Sequence, residues 1–145
     1  MAHDREQAIA ALTAFHDLLE QAERRGPSSF EQAFHNPPPG IVGVHEIDLE
    51  NRVKRVSRHE LSVLGYSDAQ MLGHPVWEFI VMQEAAQRSI DQKFKGKKEL
   101  KAFTRTFRRA DGLGLSMILL DRHLLDEAGQ LVGIRTVLAE AKFPE

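Results

Sequence analysis

The chain has 145 residues, 42% hydrophobic and 28% charged, with a formal net charge of −2 and no cysteine. These figures fit a soluble globular domain able to bury a core, and the absence of cysteine excludes disulfides, thiolate metal sites and cysteine nucleophiles. A charge this near neutral provides no field for nucleic acid or an anionic membrane, and no stretch approaches the roughly 18 apolar residues that span a bilayer.

The start, MAHDREQ, is polar and no long apolar run follows it, so no secretory signal is read and a cytoplasmic location is expected. Over residues 4–25 apolar side chains recur at spacings of three and four: Ala8, Leu12, Phe15, Leu19 and Ala22. That spacing predicts an amphipathic helix, and Arg24 and Arg25 at its end suit the helix dipole. Gly26-Pro27 stops it. The stripe could cover the chain's own domain, pack against the same helix of a second copy, or do both. Homodimerisation through those five residues is one expectation. The division read from this pattern is an N-terminal helix over residues 1–27 and a domain over 28–145.

Residues 28–35 read as a short helix capped by Ser28 or Ser29, with Phe30, Ala33 and Phe34 on its apolar face. Asn36-Pro37-Pro38-Pro39-Gly40 is a stiff connector. Residues 41–48 and 52–56 predict a hairpin. Ser57 with Glu60 three residues on reads as a capping box, Leu61 and Leu64 face inward, and Gly65 ends that helix. Ser67 caps a second short helix with Met71 and Leu72 inward, closed by Gly73 and His74-Pro75. A longer helix over 84–94 turns Ala85, Ile90 and Phe94 inward.

Five lysines over residues 93–101 read as a solvated loop and strand entry. Three strands follow, over 99–109, 113–125 and 131–140, joined by Asp111-Gly112 and by a turn at 126–129. Within 116–125 both alternation sets are largely apolar, Met117 and Leu119 on one, Ile118, Leu120 and Leu124 on the other. Such a strand is covered on both faces. The short helices can cover one, and the helix over 4–25 is the available cover for the other. If Val132, Ile134, Thr136 and Leu138 face inward, Arg135 faces that N-terminal helix and an acid on it. The order of elements is that of an α+β protein, an antiparallel sheet with helices crossing one face.

The string Gly-Tyr-Ser-Asp-Ala-Gln-Met-Leu-Gly-His-Pro-Val-Trp-Glu-Phe-Ile, residues 65–80, resembles the helical half of PAS domains. Arg108-Arg109-Ala110-Asp111-Gly112 resembles the hairpin between two of that family's later strands. The likeness covers roughly residues 30–141. It implies a five-stranded sheet in the order 2-1-5-4-3 and a sensory or signalling role, for instance within a two-component system. Many PAS sequences carry Asn at the position of Ser57; here the hydroxyl keeps the capping role without the amide.

A ligand pocket, if the family's use of the fold applies, would lie between sheet and helices, with Val44, Trp77, Phe79, Ile80, Ile90, Phe103, Ile118, Ile134 and Thr136 as its candidate lining. The same residues would serve as a filled core in a ligand-free interaction scaffold. The light-sensing flavin and covalent cinnamoyl chemistries of PAS relatives need a cysteine, which this chain lacks. Haem is not expected either: the long helix carries no histidine, His74 lies in a turn before it, and His123 sits late in a strand. No nucleophile elbow, glycine-rich phosphate loop or metal-ligand spacing is present, so no enzyme activity is expected. A signalling protein partner in trans is compatible with the chain; nucleic acid and membrane are not expected partners.

Overall fold

A computed structural model describes residues 5–96 and 100–141. Five antiparallel strands form one sheet: β1 (Gly43–Ile47), β2 (Val53–Val56), β3 (Phe103–Arg108), β4 (Gly114–Leu125) and β5 (Leu131–Glu140). Their spatial order is β2-β1-β5-β4-β3, the order implied by the family resemblance. Side chains alternate across the sheet, so β4 and β5 each supply one row to an inner core and the next to an outer core.

The inner face is covered by the chain between β2 and β3: helices α3 (Arg58–Leu64), α4 (Asp68–Met71) and α5 (Gln83–Phe94), with a 3-10 turn at Val76–Phe79. Leu61, Leu64, Met71, Val76 and Phe79 pack there with Met117, Leu119, Ile134 and Leu138. The outer face is covered by α1 (Arg5–Arg25) and α2 (Pro27–His35). Leu12, Phe15 and Leu19 are buried against Val44, Ile118 and Val137, with Phe30 and Phe34 of α2 closing the layer. Each such side chain contributes about 2 kcal/mol of apolar burial.

That packing corrects one expectation. Leu12, Phe15 and Leu19 are buried against their own sheet, Ala22 is buried as well, and Ala8 packs partly buried beside the cluster. A second copy could reach this stripe only by unpacking the helix. Residue 4, the expected helix start, lies outside the described residues, as do residues 97–99 and 142–145.

Smaller corrections follow from local competition. Pro27 stands at the first position of α2 after Gly26, so neither Ser28 nor Ser29 caps that helix. Leu72 is exposed rather than inward. Alanine 86, not Ala85, is the buried alanine of α5. Ser57 Oγ accepts from Glu60 N at 3.3 Å, but the Glu60 carboxylate turns to His45, so the reciprocal box forms instead at Ser67–Gln70.

Two glycines permit the closest approaches. A Cβ on Gly43 would stand 2.5 Å from Ser57 Oγ and 2.6 Å from Glu60 Cβ, so glycine lets α3 lie directly on β1. A Cβ on Gly133 would collide with the Ile47 carbonyl oxygen.

Candidate functional site

Three neighbouring strands place one polar residue each on the inner face. His45 on β1 is the register partner of Thr136 on β5, and Thr136 is the partner of Asp121 on β4. Lys93 joins them from α5. Its spacing of three and seven from Ile90 and Ala86 puts it on the buried face of that helix, and its side chain is 2% exposed. Lys93 Nζ lies 2.6 Å from Asp121 Oδ2 and 3.6 Å from the Phe103 ring centre. Thr136 Oγ1 donates to Asp121 Oδ1 at 2.6 Å. Both carboxylate oxygens are therefore used, which is the condition under which a buried ion pair is tolerated.

His45 and Glu60 form a second buried pair, Nδ1 to Oε2 at 2.7 Å, both nearly inaccessible. Burial opposes the imidazolium, but the charge and hydrogen bond of Glu60 outweigh it and raise the His45 pKa, with Asp121 and Glu46 acting in the same direction. Glu60 Oε1 is buried with no protein partner among the described residues.

Between these groups and the helices lies a cavity of about 30 Å³. Of the residues expected from the sequence, Ile80, Ile90, Phe103, Ile134 and Thr136 line it. Phe79 is buried in the inner core and Trp77 packs at its edge, neither lining the cavity. Val44 and Ile118 are misplaced by the sequence reading. They belong to the opposite parity of their strands and pack on the outer face. His45, Lys93, Arg105 and Asp121 line the cavity and were missed. The sequence places Lys93 in a lysine run expected to be solvated; its helical spacing from Ile90 is the available signal. Asp121, sharing the parity of Met117 and Leu119 in an apolar strand, is another.

The volume admits one or two waters, far below the roughly 300–1,000 Å³ of drug-sized ligand pockets, so these residues do not accommodate flavin or haem as they stand. His74 is half exposed beside Glu78, and His123 Nε2 lies 3.2 Å from the Lys93 carbonyl oxygen; neither lines the cavity. Among the described residues no three metal-ligating side chains converge, and no helix is long and apolar enough to cross a membrane.

The outer face of the same strands carries a second network. Arg122 Nη1 meets Asp17 at 3.0 Å and Glu20 at 2.8 Å. Arg135, 3% exposed, meets Glu46 at 2.9 Å and Glu23 at 3.2 Å, as its parity on β5 led us to expect. Glu46, 13% exposed, is thus half of a largely buried pair. His16 Nε2 donates to the Leu120 carbonyl at 2.9 Å. Burial lowers its pKa to about 4; the carbonyl bond opposes this, and Arg122 and Arg135 add to it.

The motif stretches that carried the family resemblance touch each other. Tyr66 Oη donates to the Arg108 carbonyl at 2.6 Å, and Ala110 N to the Leu64 carbonyl at 2.9 Å. A five-stranded antiparallel sheet in this order, with its helical connection folded over one face and a small cavity between, defines the PAS fold.

Solved structures agree. The PAS domain of an HTR-like protein from Haloarcula marismortui superposes with a TM-score of 0.62 at 20% identity, over 88% of this chain and 98% of that one. The light state of the blue-light photoreceptor Aureochrome1 LOV gives 0.59 at 20% identity, over 79% and 88%. The PAS-B domain of Drosophila melanogaster Cycle with bound ethylene glycol gives 0.54 at 14% identity, over 67% and 97%. No family model and no curated protein matches the sequence. This chain has the PAS fold.

Proposed function

We propose that the chain is a non-catalytic sensory or signalling module in which the inner cavity is the sensing end and helix α1 the output. One observation carries this reading: the two networks occupy consecutive residues of the same two strands. Asp121 and Thr136 face the cavity, while Arg122 and Arg135, next along each strand, hold α1. A change in the pairing of Asp121 shifts the β4–β5 ladder, and that ladder positions both arginines.

The PAS and LOV neighbours support a signalling role of this general kind. A blue-light role like that of Aureochrome1 is not carried over, because the chain has no cysteine and the cavity is too small for flavin. The small cavity favours, as a second reading, an interaction scaffold whose core stays filled. We extend the proposal to a cytoplasmic setting with a signalling partner or second copy docking on exposed surface.

Hydrogen exchange of Asp121→Asn against wild type tests the relay. Exchange should accelerate in α1, around Leu12 to Ala22, more than in the β1–β2 hairpin after correction for global stability. A uniform change, or none in α1, overturns it.

A further inference from the structure

The cavity lining is unbalanced in charge. Its charged members among the described residues are Lys93, Arg105 and Asp121, with His45 beside them. Lys93 is neutralised by Asp121, and His45 by Glu60 behind it. Arg105 is different. It stands on β3, two residues beyond Phe103, with its guanidinium 5.2 Å from the Phe103 ring centre, and no hydrogen bond or ion pair reaches it among the described residues. It is only partly exposed, so water compensates its charge incompletely. Burial lowers its pKa, and Asp121 opposes that effect from within the same cavity.

A guanidinium that lines a small cavity with no hydrogen bond or ion pair among the described residues calls for an anion, because its fixed fork of donors matches a carboxylate in a bidentate bond. The rest of the lining narrows the choice. Ile47, Ile80, Ile90 and Ile134 offer no donors and suit a short apolar tail. The volume admits a group about the size of two waters. A dianion would meet Asp121, and a large acid would not enter.

We propose that the cavity binds a short-chain monocarboxylate, such as acetate or propionate, with the carboxylate on Arg105 at the rim and the alkyl end among the isoleucines. Lys93, paired with Asp121 and lying over Phe103, adjoins the site as a second donor. A bound carboxylate would compete with Asp121 for Lys93, which is how occupancy would loosen the Asp121–Thr136 pair. The ligand assignment deepens the sensing role proposed above and rests on the cavity being its sensing end.

The test is a titration of the ¹⁵N-labelled full chain with sodium acetate, with sodium chloride at matched ionic strength as control. Amides of Arg105, Phe107, Asp121 and Thr136 should shift saturably with millimolar half-saturation, and not with chloride. Arg105→Gln should weaken the response at least tenfold while its melting temperature stays near wild type; Arg105→Lys should retain part of it. Shifts that grow linearly, match chloride, or persist in Arg105→Gln overturn the ligand assignment. Hydrogen exchange in α1, followed in the same samples, separates the two ideas. Saturable binding with unchanged α1 exchange would sink the relay alone. Accelerated α1 exchange in Asp121→Asn without acetate binding would sink the ligand alone.

Discussion

Arg122 on β4 stands directly opposite Arg135 on β5, two like charges side by side under a helix. Paired alone they would destabilise the sheet. Asp17, Glu20 and Glu23 of α1 and Glu46 of β1 surround them, so the arginines turn a repulsive pair into the docking point for the N-terminal helix.

The two ends of that network are worth different amounts. Arg135→Ala leaves the largely buried Glu46 with Arg55 at 4.0 Å in place of a 2.9 Å partner and should cost about 3 kcal/mol, whereas Glu23, half exposed, should cost under about 1 kcal/mol on change to Gln. Urea denaturation of both variants measures the contrast. Equal losses would show that exposure does not set the energy here.

Changing Leu12 or Leu19 to Glu should unfold the chain or lower its stability by at least about 3 kcal/mol, rather than produce a folded monomer. Leu18, 45% exposed on the outside of the same helix, should tolerate Glu with little loss. Sedimentation of Leu18→Glu then asks whether any dimer uses the outer side of α1. A folded, cooperative Leu12→Glu monomer would refute the burial argument.

Two histidines give stability opposite slopes with pH. His16 has a folded pKa near 4 against 6.5 unfolded, so it contributes nothing above pH 6.5 and costs up to about 3 kcal/mol as pH falls from 6.5 to 4. His45 is raised by its environment, so its contribution is complete below its unfolded pKa and is lost as pH rises through the folded one. His16→Gln should flatten the acid limb of a stability–pH curve, and His45→Gln the limb above pH 6.5. An unchanged acid limb in His16→Gln would refute the assignment.

Lys93→Met leaves the Asp121 charge buried without its cation and should cost about 3–5 kcal/mol. Combining it with Asp121→Asn removes that charge while keeping an acceptor for Thr136 Oγ1. The double variant should be more stable than Lys93→Met, as chemical denaturation can show. If it is less stable, the cost lies in packing rather than in the stranded carboxylate.

Gly43→Ala tests the contact of α3 with β1. Its methyl would meet Ser57 Oγ and Glu60 Cβ, and the expected loss is about 2 kcal/mol or more, read from a lowered melting temperature. A neutral result would mean that α3 can move away without penalty.

Local chemistry made much of this protein legible in its sequence. The threefold and fourfold spacing of Leu12, Phe15 and Leu19 is enough for a helix, the Gly and Asp-Gly punctuation for turns, and the doubly apolar stretch around Ile118 for a strand covered on both sides. These depend on neighbours a few residues apart. Alternation with a period of two also showed that Ile118 and Leu119 point opposite ways, but not which of them meets the cavity, because that sign is set only when α1 and α5 choose their sides. For the same reason the α1 stripe was ambiguous between a second copy and its own sheet. The Lys93–Asp121, His45–Glu60 and Arg135–Glu23 pairs join residues 28, 15 and 112 positions apart. Charge has no sequence period, and a lysine reads as solvent-facing until folding removes the water around it. Only the tertiary structure decided that Lys93 would be buried and that Arg105, stacked on Phe103, would have no hydrogen bond or ion pair among the described residues.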